Sequence, residues 1–142
     1  MTSSFDLAAT VDCRCLAARR DARRITRLYE EHLRPHGLRA TQFSILAALA
    51  IKGATPITEL ADVLGLERTT LTRSAALLEQ KGLVRAVRTS DARLHPLEIS
   101  PPGREKLEGA LVAWAAAQER AGREFARVKT VSAGTEEDKD GF

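Results

Sequence analysis

The 142-residue chain has little thiol and little imidazole: two cysteines and three histidines. Cys13 and Cys15 stand two apart, a spacing that bridges poorly, so the chain carries no secreted disulfide framework. Cys-x-Cys with only His32 and His36 nearby is too few ligands for a metal, and no metal or cofactor is expected. All three histidines fall in or near predicted turns, and no nucleophile–base pair, phosphate-cradling glycine loop or zinc spacing occurs. Catalysis is therefore not expected. No apolar run approaches the ~20 residues of a membrane span, and the N-terminus lacks the apolar core of a signal peptide. The expected location is the cytoplasm, with no membrane partner.

What is present is ordinary for one globular domain: 44% hydrophobic and 29% charged residues. A net charge of +3 says little, but its distribution says more. Residues 13–39 hold eight arginines against three acids, and residues 68–95 hold six basic side chains against two acids. Residues 135–142 reverse the sign, with four acids against Lys139. Two basic regions favour a polyanionic partner.

Hydrophobic spacing divides the chain. Residues 1–12 read as a flexible arm. Residues 13–36 read as an N-terminal helix, with Ala18, Ala22, Ile25, Tyr29 and Leu33 recurring at spacings of three and four beneath an arginine face. That face reads first as solvated surface, with contact to phosphate or an acidic ligand as the alternative. The Pro35-His36-Gly37 break ends it. Thr41 is placed to cap a helix over residues 42–51 with Phe43, Leu46, Ala47 and Ala50 on its apolar face. Thr55-Pro56, or Thr58, leads into a short helix that ends at Gly65.

Residues 67–81 organise the rest. Leu71, Ala75 and Leu78 form a buried stripe, while Arg68, Thr69, Thr70, Thr72, Arg73 and Ala76 face away from it. Short polar and guanidinium side chains at the front of a helix suit a groove of DNA. Helix, glycine turn, helix is the helix-turn-helix pattern. Residues 83–99 then change period to short extended runs around the turn Thr89-Ser90-Asp91-Ala92, a two-stranded wing with Arg88 and Arg93 at its tip. Pro96 suits an edge strand.

From Ser100 a long helix is predicted over residues 101–128. Leu107, Leu111, Trp114, Gln118, Ala121, Phe125 and Val128 alternate spacings of four and three, a heptad seam on a helix ~42 Å long. One small domain is not expected to cover such a seam, so it is assigned to dimerisation, with Gln118 as its polar member. Residues 129–142 read as a disordered acidic tail. The fold class is mainly α with a small β-wing: a winged helix-turn-helix over residues 37–100, flanked by N- and C-terminal dimerisation helices.

The order of parts resembles the MarR (multiple antibiotic resistance regulator) family of winged-helix transcription factors. The likeness is carried by ITELADVLGLERTTLTR and LLEQKGLV in the reading head and by SDARLHPLEIS in the wing, where Asp91-x-Arg93 is similar to the family's wing signature. Gly37-Leu38 and the run from Gln42 to Leu46 resemble its second helix.

The resemblance implies a homodimer with two recognition helices in successive major grooves of a pseudo-palindromic operator; it places Thr69, Thr70, Thr72 and Arg73 at the major groove, Arg93 as the wing contact with Asp91 holding the turn, and Arg68 and Arg88 on phosphate. It further implies repression relieved by a small aromatic or lipophilic ligand, or by cysteine oxidation. Cys13 and Cys15 begin the first helix among positive charges, with Arg14 beside them as a carboxylate partner and Tyr29 as a phenolic one. Two departures are visible: Glu67 where the family often has a small capping residue, and a polar, acidic chain beyond Lys129 where the family usually adds a last helix. The competing reading is a winged-helix protein-interaction module without specific DNA binding.

Overall fold

The computed structural model describes residues 6–130. The start of the expected arm and nearly all of the expected acidic tail lie outside the described residues. Residues 7–11 of that arm form a 3-10 turn, opened by Asp6, whose carboxylate accepts from the Ala8 N–H at 3.0 Å.

Five helices and three short strands follow. They are α1 (Arg14–Leu33), α2 (Ala40–Lys52), β1 (Thr55–Pro56), α3 (Ile57–Leu64), α4 (Arg68–Gln80), β2 (Val84–Ala86), β3 (Pro96–Ile99) and α5 (Pro101–Glu124). The chain is thus mainly helical with a small sheet, the expected class. None of the described helices is long and apolar enough to cross a membrane.

α2 is the centre of the domain. Phe43, Ile45, Leu46, Ala48 and Leu49 are all buried, while Ala47 and Ala50 are only half-covered. A helix enclosed on most of its circumference shows no single stripe, which is why Ile45 and Leu49 escape a search for one face. Thr41 lies inside α2 and does not cap it. Arg39 is the cap residue, and the buried Gln42 carboxamide accepts from its backbone N–H at 3.0 Å. Around α2, the side chains of Leu33, Leu60, Leu71, Leu78 and Val84 close the core.

The wing is larger than the sequence suggests. β3 pairs on both sides, so the sheet has three strands in the order β1-β3-β2. Thr55 and Pro56 form β1 and lead into α3, with Pro56 at its cap position but no side-chain capping bond; Thr55 is buried and its hydroxyl donates to the Gly53 carbonyl at 2.9 Å. Pro96 therefore opens a central strand, not an edge. It is tolerated because its partner across the ladder is Pro56, so neither residue presents an N–H to satisfy. On its other side the Pro96 carbonyl accepts from the Val87 N–H at 2.9 Å.

α5 ends at Glu124, four residues short of the predicted end, and Phe125 leaves helical geometry at the cap. α1 and α5 run antiparallel: Asp21 meets Arg127, and Tyr29 meets Gln118. Most of the seam is covered by this pairing and by α2. Leu107, Ala121 and Phe125 are buried within the chain, and Trp114 stacks on Phe43 with ring centroids 5.7 Å apart. Of the six seam residues assigned to dimerisation, Leu111 is the one left facing outward. The expectation that one small domain cannot cover this helix is thereby corrected. On α1, Ala18 and Ala22 of the expected stripe are exposed, whereas Leu16, Asp21 and Ile25 are half-covered and Leu28 and Leu33 are buried.

α5 begins against the root of the wing. Ser100 is its cap: the hydroxyl accepts from the Gly103 N–H at 3.1 Å and donates to the Gly82 carbonyl at 2.5 Å. Gly103 itself touches the Leu83 carbonyl so closely that a Cβ would lie 2.0 Å from the oxygen.

Candidate nucleic-acid interface

α3 and α4 are joined by Gly65 in the left-handed region at φ 61°, which glycine adopts without a Cβ penalty. The Leu66 N–H closes back on the Ala61 carbonyl at 3.0 Å. This tight turn sets α4 across α3 with Leu71, Ala75 and Leu78 inward, all three buried. The opposite face is consequently outward: Arg68, Thr69, Thr70, Thr72, Arg73 and Ala76 are exposed. Thr72 donates its hydroxyl to the Arg68 carbonyl at 2.8 Å, which leaves its oxygen free to accept. Glu67 is the cap position of α4, yet its side chain makes no capping bond there.

The wing turn is held by one carboxylate. Asp91 Oδ1 accepts from the Arg93 backbone N–H and from Arg93 Nε, each at 3.1 Å. The Arg93 side chain is otherwise 92% exposed. Across the strands, Arg85 Nε donates to Glu98 at 2.6 Å, so Arg85 is committed to the sheet and not to a ligand.

Between α4 and the wing lies an open cleft of about 720 Å³, walled by Ile57, Thr58, Arg68, Thr72, Arg88 and Arg93, with Glu79 its one acid. Three guanidinium groups lining one cleft, Arg68 from α4 and Arg88 and Arg93 from the wing, form with the exposed helix face a surface suited to a phosphate backbone next to a groove. The sequence gives Ile57 and Thr58 no role in the site, since their contribution depends on the wing folding back over the start of α3. A threonine at a helix start was the one available signal.

The other candidate residues are spread out. Cys13 and Cys15 are free and exposed at the start of α1, with Arg14 also exposed. Tyr29 lies fourteen residues beyond Cys15 on the same helix, ~21 Å at ~1.5 Å per residue, so one chain does not bring thiol and phenol together. Instead the half-buried Tyr29 hydroxyl donates to the Gln118 carboxamide oxygen, and burial pushes its phenol above the ordinary value.

Comparison with known proteins adds the following. The MarR family model matches residues 36–93. The chain is similar to the M. tuberculosis transcriptional regulator MosR in complex with DNA, at 39% identity over 78% of this chain and 81% of that one, with a TM-score of 0.71. It is similar to the transcriptional repressor CouR bound to a 23-mer DNA duplex, at 27% identity over 88% and 89% of the two chains and a TM-score of 0.70. A mutant MarR from E. coli complexed with operator DNA shares the fold at 21% identity, with 89% of each chain covered and a TM-score of 0.71. None of the curated proteins matches the chain.

Proposed function

Since this chain belongs to the MarR family of transcriptional regulators, we propose that it regulates transcription by binding double-stranded DNA. The observation that carries this reading is the shared outward aspect of α4 and the wing: Thr69, Thr70 and Arg73 exposed on the helix, and Arg68, Arg88 and Arg93 around the adjoining cleft. Arg73 and the threonines read bases in the major groove, while Arg68 and Arg88 neutralise phosphate. Arg93 reaches the backbone or the flanking minor groove, aimed by Asp91.

The chain acts as a homodimer on a pseudo-palindromic site, as a repressor. The outer side of α5 supports this pairing, since Leu111 and Val112 are 45% and 83% exposed there. Release follows from a small aromatic or lipophilic ligand, or from oxidation at Cys13 or Cys15, both of which an oxidant can reach. The chain is not assigned a catalytic role.

The test is fluorescence anisotropy of the reduced protein on the DNA upstream of its own gene, across a salt series. Tight, salt-dependent and sequence-selective binding that Arg93→Ala weakens is the expected result. Loss of binding after peroxide treatment, restored by thiol, would assign the trigger to the cysteines. Absence of selective binding in every state would sink the reading and favour an interaction module.

A further inference from the structure

A carboxylate at the tip of the recognition helix has no partner within the protein. Glu67 holds the cap position of α4, at φ −58° and ψ 138°, and makes no capping bond. Among the described residues its side chain enters no ion pair or hydrogen bond, and it is exposed. Other acids of the reading head are placed differently. Glu59 lies 3.5 Å from Lys52 Nζ, Asp91 holds Arg93, and Glu98 holds Arg85. Glu79 lines the wing cleft with Arg68, Arg88 and Arg93. Asp62 is exposed and unpaired like Glu67, but it belongs to α3.

The position of Glu67 gives that free carboxylate a consequence. Thr58 and Arg68 line both the wing cleft and a second depression of about 470 Å³, where Asp62 and Glu67 stand. Glu67 therefore adjoins the proposed DNA surface, at the end of the recognition helix whose residues contact base edges. On any duplex this carboxylate approaches phosphates and sheds water, and both weaken binding. The cost is uniform over sequences unless a base edge offers the carboxylate a donor.

The chemistry of the major groove narrows the choice of base. An ionised carboxylate only accepts hydrogen bonds. Guanine presents the N7 and O6 acceptors and thymine presents O4, so both repel it. Adenine offers its N6 amine, but its N7 acceptor lies beside that amine and opposes the second carboxylate oxygen. Cytosine offers the N4 amine with no acceptor next to it in the groove.

We propose that Glu67 is a specificity residue: it accepts from the N4 amine of a cytosine in the bound site and weakens binding to sequences that lack it. The inference rests on the DNA reading and adds to it one defined base preference. A purely structural role, a negative charge at the positive end of α4, acts on stability and not on base choice.

The test selects duplexes from a randomised pool with the purified full chain, then compares single-base changes in the selected duplex by anisotropy. Wild type is expected to enrich a cytosine that Glu67→Ala does not enrich. Replacing that base pair should cost wild type roughly tenfold in Kd and leave Glu67→Ala unchanged. Glu67→Ala should also bind scrambled DNA about two- to fivefold more tightly, through lost repulsion. Glu67→Gln is expected to move the preference to adenine, whose N6 and N7 match a carboxamide. Asp62→Asn should strengthen binding to all duplexes alike and leave the selected base as it is. Equal cytosine enrichment by wild type and Glu67→Ala overturns the proposal and leaves the DNA reading standing. So does an equal loss of affinity by Glu67→Ala on every duplex with a lower melting temperature, which assigns Glu67 to the fold. A wild-type chain that enriches no sequence overturns the DNA reading itself, and this proposal with it.

Discussion

Asp91 Oδ1 accepts from both the backbone N–H and Nε of Arg93, so one carboxylate oxygen fixes the wing turn and the direction of an almost fully exposed guanidinium. A pre-aimed side chain loses less freedom on binding than a free one. Asp91→Ala is therefore expected to weaken DNA binding by about 1 kcal/mol, roughly fivefold in Kd. Its melting temperature should barely change, because both partners are surface groups. Anisotropy and a thermal melt check the two halves. An unchanged Kd would show that Arg93 needs no orienting partner.

Arg73 and Arg68 share a helix but should differ in kind. Arg73→Ala is expected to cost ~1–3 kcal/mol on the cognate site and little on random DNA. Arg68→Ala should weaken both equally and reduce the salt slope by ~1. Parallel titrations on cognate and scrambled duplexes decide it, and equal losses for Arg73→Ala would move that residue to the phosphate class.

The Tyr29–Gln118 bond joins α1 to α5, and Tyr29 is the single tyrosine in the chain, so its titration can be followed without ambiguity by phenolate absorbance. Burial favours the neutral phenol, and the midpoint is expected above the ordinary ~10. With the folded value raised, the stabilising contribution is present below the unfolded value and is lost as pH climbs through the folded one. Gln118→Ala leaves the half-buried hydroxyl without its partner and should cost about 1 kcal/mol in denaturant unfolding.

Gly103 and Gly122 occupy the same helix in opposite surroundings. A Cβ at Gly103 would lie 2.0 Å from the Leu83 carbonyl oxygen, whereas a Cβ at Gly122 meets nothing within 4 Å. Gly103→Ala is expected to destabilise by about 3 kcal/mol, since two backbone segments must separate. Gly122→Ala should stabilise by ~0.5–1 kcal/mol through helix propensity alone. Urea unfolding of the pair tests both signs in one experiment.

Acid should loosen α1 from the end of α5. Hydrogen bonding to Arg127 holds the Asp21 carboxyl below the usual aspartate value; desolvation opposes it, and the charges of Arg127 and Arg24 add to the lowering. A lowered folded value means the contribution is present above the unfolded value and lost as pH falls through the folded one. Thermal melts from neutral pH down past the carboxylate range should show a smaller acid-side fall for Asp21→Asn than for the parent. Identical profiles would mean that the pair adds nothing to stability.

What could be read from the sequence follows from how each element is buried. α4 has one covered side, so its period shows both the stripe at Leu71, Ala75 and Leu78 and the residues left outside. α2 is covered nearly all round, and its period blurs; Ile45 and Leu49 were invisible for that reason. β1 is two residues long, too short for alternation, and exists only because β3 arrives some forty residues later to pair with it. The α5 seam was legible as apolar, but its covering partner was not, since Tyr29 lies 89 positions from Gln118. The Asp91–Arg93 contact spans two positions, so local spacing could suggest it. The cleft beside it draws Ile57 and Thr58 from another element, and no local pattern reports that.

The bare contact between Gly103 and Leu83 makes α5 a lever with its pivot at the wing. Backbone meets backbone there, with the Ser100 hydroxyl bridging the Gly103 N–H and the Gly82 carbonyl and Ile99 beside it, and 24 residues of helix give an arm of ~36 Å. Moving the far end near Phe125 by ~3 Å tilts the rod by only ~5° over that length. The wing root, pressed directly on the short end, must follow the tilt or lose the contact. Whatever acts where α1 and α5 meet thus reaches the reading head as a small angle with little slack, a gearing suited to aligning or misaligning a rigid surface against a groove.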